Sequence, residues 1–161
     1  MKRTLLFALA LAVIPVGVDA QVTPSTPSCA LINVLSPLED VRSCVEQGDA
    51  FVQSMLGAAY KSGNNMVGVP KDLAEALRLF RLAAEQGHWV AQQDLGSMYE
   101  NGQGVPKDYV LAYMWYNLAA AQMEFVIARR RDRLEQRMTR EQIAEAQRLS
   151  REWIEAHPGG N

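Results

Sequence analysis

Histidine and cysteine are scarce in this chain of 161 residues, which contains two of each. A metal-binding helix usually carries two histidines three or four residues apart, and His88 has no such partner. His88 is instead expected at the surface in a turn. No nucleophile, base and orienting group can be combined from the sequence. The sequence therefore predicts no metal, no cofactor and no catalytic residue.

An excess of positive charge is also missing, since 18 acidic residues outnumber 16 lysines and arginines and give a formal charge of −2. Nucleic-acid binding requires surplus lysine and arginine to neutralise phosphates, so we expect no nucleic-acid partner. Four arginines lie between 129 and 133, with Asp132 and Glu135 beside them. We interpret this run as a solvated helix face, and contact with an anionic partner or an anionic lipid stays open as the alternative.

Long apolar segments are confined to the first twenty residues, where two basic residues precede an apolar run over 5–14. This run is too short to span a membrane and ends at Pro15. A basic start, an apolar centre and a small residue at Ala20 are typical of a secretory signal peptide. We predict cleavage after Ala20, a mature chain without a membrane span, and a periplasmic or secreted location. Removal of two basic residues and one acidic residue changes the formal charge to −3.

Both cysteines, Cys29 and Cys44, lie in the predicted mature chain. An even number of cysteines in an oxidising compartment favours a disulfide. The bond would close a loop of about 15 residues and contribute about 3 kcal/mol through the entropy of the unfolded chain. The alternative is a pair of free thiols, with Cys44 as a small core residue on its helix.

The chain also contains an internal repeat. The motif Leu-Gly-x-x-Tyr-x-x-Gly occurs at 56–63 and again at 95–102, a displacement of 39 residues. Gly-Val-Pro-Lys-Asp follows at 68–72 and at 104–108, a displacement of 36, so the first copy has three more residues between the motifs. A period of this length is typical of stacked helical hairpins, in which neighbouring units complete each other's core.

Capping signals divide the chain into helices. Three capping boxes are predicted, which pair Ser36 with Glu39, Asp72 with Glu75 and Thr139 with Gln142. Gly48 and Gly87 are expected to end the helices before them. We predict a signal peptide (1–20), a flexible lead (21–35), a helical repeat domain (36–155) and a loose tail (156–161). The domain comprises a truncated repeat helix (36–48), repeat 1 (50–87), repeat 2 (89–122) and a C-terminal capping helix pair (124–155).

The second copy of the repeat continues with small and aromatic residues at helical spacing. They are Ala112, Trp115, Tyr116, Ala119 and Ala120. With the two motifs before it, this pattern resembles the Sel-one-like repeat, a relative of the tetratricopeptide repeat. The first copy carries Leu79 and Phe80 at the two aromatic positions. Met123 stands where the first copy has Gly87, so we expect a corner of different shape there.

The resemblance implies an all-α fold, a right-handed α/α superhelical solenoid of antiparallel helix pairs. It also implies a scaffold or adaptor that binds another protein of the cell envelope on its concave surface. Two alternatives stay open. Cysteine-rich bacterial relatives suggest a cell-wall or β-lactam hydrolase, although neither full repeat here contains a cysteine. A structural protein that self-associates is the other alternative, and the sequence does not give the oligomeric state.

Helical geometry predicts which side of the first helix in each repeat faces a partner. If Val52, Leu56 and Tyr60 face the core, a step of about 100° per residue places other positions on the opposite side. The predicted partner-binding residues are Ser54, Met55, Ala58 and Lys61 in repeat 1 and Gln93, Asp94, Ser97 and Glu100 in repeat 2.

Gly57 and Gly96 occupy the same position in these two predicted helices. Glycine inside a helix costs about 1 kcal/mol relative to alanine, so its recurrence needs a compensating reason. We predict that the second helix of each repeat approaches closely at this position, with Ala83 and Ala119 on the facing side.

Overall fold

A computed structural model describes residues 28–33, 35–63, 68–122 and 124–159, with side chains from 127 onward in the last range. The predicted signal peptide, the first part of the lead, Met123 and the last two residues of the tail lie outside the described residues. The predictions for these segments therefore stay predictions.

Seven α-helices account for most of the described residues. They are α1 (Leu38–Glu46), α2 (Ala50–Ser62), α3 (Leu73–Glu85), α4 (Trp89–Asn101), α5 (Tyr109–Ala120), α6 (Glu124–Glu135) and α7 (Arg140–Ala156). Helices α2 and α3 pack together as repeat 1, α4 and α5 as repeat 2, and both α6 and α7 pack against α5. The predicted all-α fold of helices packed as repeat pairs is confirmed.

The second helix of each repeat begins at an aspartate cap. The Oδ1 atom of Asp72 accepts hydrogen bonds of 2.9 and 3.0 Å from two backbone amides of α3, and Asp108 repeats both bonds on α5. Gly48 and Gly87 follow α1 and α3 with φ angles of 85° and 82°. Because only glycine adopts such angles without strain, both residues end their helices as predicted.

Two of the three predicted capping boxes are wrong. The Oγ atom of Ser36 accepts a hydrogen bond from the backbone of Asn33 at 3.1 Å, and Pro37 occupies the cap position of α1. The carboxylate of Glu75 accepts bonds of 2.9 and 2.6 Å from Arg78. A charge-assisted pair of this kind is stronger than a bond to a neutral amide, so Glu75 does not reach back to the cap.

The segment before α1 is fixed to the repeats by a disulfide. Cys29 begins a short 3₁₀ turn, and its Sγ atom lies 2.13 Å from that of Cys44 on α1. The predicted disulfide is therefore present. Ile32 follows the turn and is 9% exposed, in contact with the cluster that includes Val41 and Leu56. The disulfide and the buried Ile32 join this part of the predicted lead (21–35) to the core, and the flexibility of the lead stays a prediction.

The last helix carries the third predicted capping box and extends slightly further than expected. Thr139 and Gln142 exchange both capping bonds at its start. Beyond Ala156, the ring of His157 stacks on Trp153 with the centroids 4.3 Å apart, and its backbone N–H donates to the Trp153 carbonyl at 3.0 Å. The first two residues of the predicted tail (156–161) thus contact α7, and the looseness of the tail stays a prediction.

Gly57 and Gly96 lie where the helices of each pair approach closely, as predicted. A Cβ atom at Gly57 would lie 3.0 Å from Cδ1 of Phe80, and one at Gly96 only 2.6 Å from Cδ1 of Tyr116. Both rings are fully buried. The facing groups are these rings and not the alanines one turn further along, because an aromatic ring reaches across the interface where a methyl group does not.

Candidate partner-binding site

An apolar groove lies where the segment after the 3₁₀ turn meets the first helices of both repeats. Its volume is about 360 Å³, and its exposed lining is almost wholly apolar. The lining residues are Ile32, Asn33, Phe51, Ser54, Met55, Ala58, His88 and Val90. This set, called the apolar groove below, joins the disulfide-bound segment to α2 and to the start of α4.

The apolar groove contains three of the eight residues predicted to face a partner. Ser54 is 3% exposed, so it forms part of the floor, whereas Ala58 is exposed and Met55 is half-buried. Phe51 was missed by the sequence reasoning, although its ring is 58% exposed at the start of α2. The sequence does contain a signal for Phe51, because this large apolar residue lies next to the predicted core-facing positions of α2 and is not one of them.

His88 closes the groove at the start of α4. Its Nδ1 atom accepts a bond of 3.4 Å from the backbone of Ala91, and its ring meets Phe51 edge-on with the centroids 6.3 Å apart. Burial lowers the pKa of His88, and the nearby carboxylate of Asp49 partly opposes this effect. The ring is therefore neutral at pH 7, and no lining residue of the groove carries a charge. A wall of this kind suits an apolar group.

The middle of the predicted surface is occupied by an ion pair between the repeats. The Nζ atom of Lys61 lies 2.7 Å from Oδ1 of Asp94, and the two side chains are 22% and 19% exposed. Each charge is thus satisfied by the other. Gln93 and Ser97 are half-buried nearby, and the backbone carbonyl of Ser97 accepts a bond from Asn101 at 2.8 Å.

Glu100, the last of the predicted residues, belongs to a different site. Its carboxylate accepts bonds from the Tyr116 hydroxyl at 2.9 Å and from Arg137 at 3.3 Å. Burial, together with the adjacent Glu100, raises the pKa of Tyr116, so the phenol stays protonated and donates. The structure therefore places six of the eight predicted residues in the groove, the ion pair and a polar site beside α6, and leaves Gln93 and Ser97 half-buried outside all three.

Among the described residues, no helix is both long enough and apolar enough to cross a bilayer. In the same residues, no three histidine, cysteine or acidic side chains come together as a metal site would require.

These features define a helical-repeat protein whose stacked hairpins share their cores. Residues 50–88 and 89–122 match the Sel1 repeat, in agreement with the two repeats of the structure. The crystal structure of c5321, a protective antigen of uropathogenic Escherichia coli strains with an SLR fold, matches 74% of this chain with a TM-score of 0.69 and 36% identity.

Two plant proteins from Arabidopsis thaliana are similar over a shorter segment. HRD3B, an ERAD-associated E3 ubiquitin-protein ligase component, is 34% identical over 74 residues, or 46% of this chain. HRD3A, described in the same terms, is 35% identical over 72 residues, or 45% of this chain. The chain spans only 12% and 10% of the length of these curated relatives and 25% of the bacterial chain.

Proposed function

We propose that this chain is an exported scaffold that binds another protein of the cell envelope through the apolar groove. The supporting observation is the position of the exposed large apolar side chains. Leu31 and Leu35 are each 79% exposed and flank the segment that lines the groove, and Phe51 projects from its rim. Exposed large apolar side chains beside an apolar groove commonly mark a site of protein interaction.

The occupant proposed is a partner segment that inserts one or two apolar side chains. The groove offers apolar walls, a neutral imidazole and no fixed charge, so a charged or sugar-like ligand would lose hydration without gaining a partner. A groove of about 360 Å³ is at the small end of ligand sites, which suits a few side chains of a larger protein.

The similar proteins support this proposal at the level of class. HRD3A and HRD3B are named as components of a ligase, and c5321 is described as an antigen with the same fold. By analogy, we propose that this chain is a component of an assembly and not an enzyme. The signal-like first twenty residues, the disulfide and the bacterial antigen support a periplasmic or secreted location.

The test is a comparison of groove and control variants. Partners captured from an envelope extract are purified, and their affinity is measured by calorimetry for the natural chain, for Phe51→Asp and for Ile154→Asp. Ile154 is an apolar residue on α7, 40% exposed and outside the groove. We expect Phe51→Asp to weaken binding at least about tenfold, as for an aromatic residue at the centre of an interface, and Ile154→Asp to change it little. Equal affinities for the two variants would contradict the proposal.

Asp94, one of the predicted partner-binding residues, is a poorer position for a test variant. Asp94→Arg would place two cations together where Lys61 and Asp94 now pair, and would remove the ion pair between the two repeats. Turnover of a β-lactam reporter by the purified chain would instead favour the hydrolase. A mass that rises with concentration in sedimentation would favour the self-associating structural protein.

A further inference from the structure

A second cavity lies at the other end of α4. Its volume is about 590 Å³, and it is lined by Glu100, Arg130, Arg133, Gln136 and Arg137. This set is called the arginine cavity below. Val90 in the apolar groove and Glu100 in the arginine cavity are ten residues apart on α4, or about 15 Å along the helix axis. The two sites are therefore separate.

The arginine cavity is strongly cationic in a chain whose formal net charge is −2. Three guanidinium groups line it against one carboxylate. Arg137 pairs with that carboxylate at 3.3 Å. Among the described residues, Arg130 and Arg133 have no carboxylate within 4.0 Å. Both are engaged by neutral groups only, since Arg130 hydrogen-bonds to the Tyr116 hydroxyl and the Nε atom of Arg133 donates to the carbonyl of Arg129 at 3.2 Å. Their positive charges are therefore available to a ligand.

Neighbouring side chains hold the cavity in shape before any ligand arrives. Arg137 stacks on the ring of Tyr109 at 4.7 Å from its centroid and also donates to the Tyr109 hydroxyl. Glu100 is fixed by Arg137 and by the protonated hydroxyl of Tyr116. Because the charge of Glu100 is balanced by Arg137, the other two guanidinium groups leave the cavity with a net positive charge. A rigid site loses less entropy on binding.

We propose that the arginine cavity binds a phosphate group carried on a larger molecule. Planar guanidinium groups donate paired hydrogen bonds in the geometry that phosphate oxygens accept, and several together suit a multiply charged oxyanion. The volume exceeds that of a bare phosphate, so the cavity also accommodates part of the molecule that carries it. The phosphate could belong to a soluble ester or to a phospholipid headgroup, and the chemistry recognised is the same.

The test measures binding of two probes by the purified chain and its variants. Glycerol phosphate is titrated by calorimetry, and phosphatidylcholine vesicles with and without phosphatidylglycerol are tested by co-sedimentation. Binding of the soluble ester identifies a soluble source, and binding only to phosphatidylglycerol vesicles identifies a headgroup. Failure of both probes would overturn the proposal, even if an acidic peptide were bound.

Matched variants separate a built site from general charge attraction. Arg130→Gln with Arg133→Gln is compared with Arg42→Gln and Arg151→Gln, two exposed arginines outside the cavity, so that both double variants have the same net charge. We expect the cavity variant to lose at least about tenfold in affinity and the control to change by less than about twofold. Equal losses would overturn the proposal.

A gain of affinity provides a test that misfolding cannot imitate. Glu100→Gln removes the one carboxylate of the cavity and keeps an oxygen that accepts from Tyr116. We expect tighter binding of the same probe by about threefold or more, because a repulsive charge is removed at close range. Unchanged or weaker binding would contradict the proposed site. The result does not depend on the apolar groove, because the two sites share no lining residue.

Discussion

The two repeats share a backbone plan and differ in the side chains that cap it. Helix α2 is capped by Asp49, whose Oδ1 atom accepts from the backbone of Val52 at 2.9 Å. Helix α4 is capped 39 residues later by His88, whose Nδ1 atom accepts from the backbone of Ala91 at a longer 3.4 Å. The same helix start thus tolerates a carboxylate or an imidazole. The choice matters elsewhere, since the imidazole forms a neutral wall of the apolar groove.

A buried glutamine shows the same contrast. In repeat 1, the Oε1 atom of Gln53 accepts from Gln86 at 2.9 Å. In repeat 2, Gln122 stands at the position of Gln86 but donates to the carbonyl of Gly87 at 2.8 Å. The Oε1 atom of Gln92, which stands at the position of Gln53, has no hydrogen-bond partner among the described residues. One repeat therefore completes a buried polar network that the other leaves incomplete.

The exposed ends of α2 and α4 differ in charge at one equivalent position. Lys61 ends the first helix and pairs with Asp94 of the next repeat. Glu100 ends the second and faces arginines of the capping helices. We infer from these three contrasts that the repeated positions build the stack, and that the differing positions determine what each part of its surface can bind.

The largest expected effect is the difference in stability between substitutions at Gly96, which contacts the Tyr116 ring, and at the neighbouring Ser97. Gly96→Leu should destabilise by about 3 kcal/mol or more, since its first side-chain atom already overlaps the buried Tyr116 ring. Ser97→Leu, one residue further and half-buried, should stay within about 0.5 kcal/mol. Thermal unfolding compares the two variants. Equal midpoints would show that Gly96 does not lie at the helix contact.

A gentler pair of variants compares the repeats directly at this position. Gly57→Ala should cost less than Gly96→Ala, because the new methyl group meets Phe80 at 3.0 Å but Tyr116 at 2.6 Å. Denaturant unfolding of the two single variants measures the difference, and the reverse order would contradict the packing described.

Loss of the disulfide should have the next largest effect. Cys29→Ser should destabilise by about 3 kcal/mol through the entropy of the unfolded chain, and should weaken partner binding by releasing Ile32 from the groove. Denaturant unfolding with and without reductant measures the loss, and the natural chain in reductant is the control. Peptide mapping without reduction should find one cross-linked pair. Two titratable thiols in protein recovered from an oxidising compartment would contradict the bond.

The two buried glutamines should respond differently to the same substitution. Gln53→Met breaks bonds to Gln86 and to the carbonyl of Val45, so it should destabilise by about 1 kcal/mol. Gln92→Met removes one long bond, from Nε2 to the carbonyl of Ala84 at 3.4 Å, together with an Oε1 atom that lacks a partner in the described residues, so it should cost less than Gln53→Met. Chemical denaturation of both variants provides the measurement. An equal loss in both would mean that the Oε1 atom of Gln92 is hydrogen-bonded in solution.

The imidazole cap should produce the smallest effect, which depends on pH. Since burial holds the pKa of His88 below its unfolded value, the unfolded chain binds more protons as the pH falls through about 6.5. Stability contributed by neutral His88 is therefore present above that range and decreases below it, and the effect is small because the ring is only partly buried. His88→Asn keeps a cap and removes the titration. Unfolding free energies at pH 7.5 and 5.5 should differ less in this variant, and an identical pH dependence would contradict the effect.

The repeat positions could be predicted from the sequence because each satisfies a local requirement. Asp72 and Asp108 cap helices through backbone amides two or three residues away, and Gly48 and Gly87 adopt φ angles that disfavour other residues. The capping rule failed where two nearby groups could bind the same side chain. Glu75 had both a cap and Arg78 within reach, and only the folded side-chain geometry shows that the guanidinium is preferred.

The candidate site was predicted only in part. Helical angles identified Ser54, Met55 and Ala58, but did not show that Phe51 and His88 complete the same groove. Helical angles also grouped Lys61 with Glu100, which proved to belong to separate surroundings. The reason is that periodicity shows which side of its own helix a residue lies on. It does not show which residues of the other helices lie next to that side after the helices have packed.

The sequence by itself determined the helices, the period of the stack and the need for small residues at Gly57 and Gly96, because capping, periodicity and backbone freedom act within a few residues. Only the tertiary structure decided which rings those glycines face, how Ile32 closes the apolar groove, and how the arginines of α6 meet Glu100 of α4. These contacts join residues that are distant in the chain, and the energy of packing and charge depends on the distances between atoms that folding alone establishes.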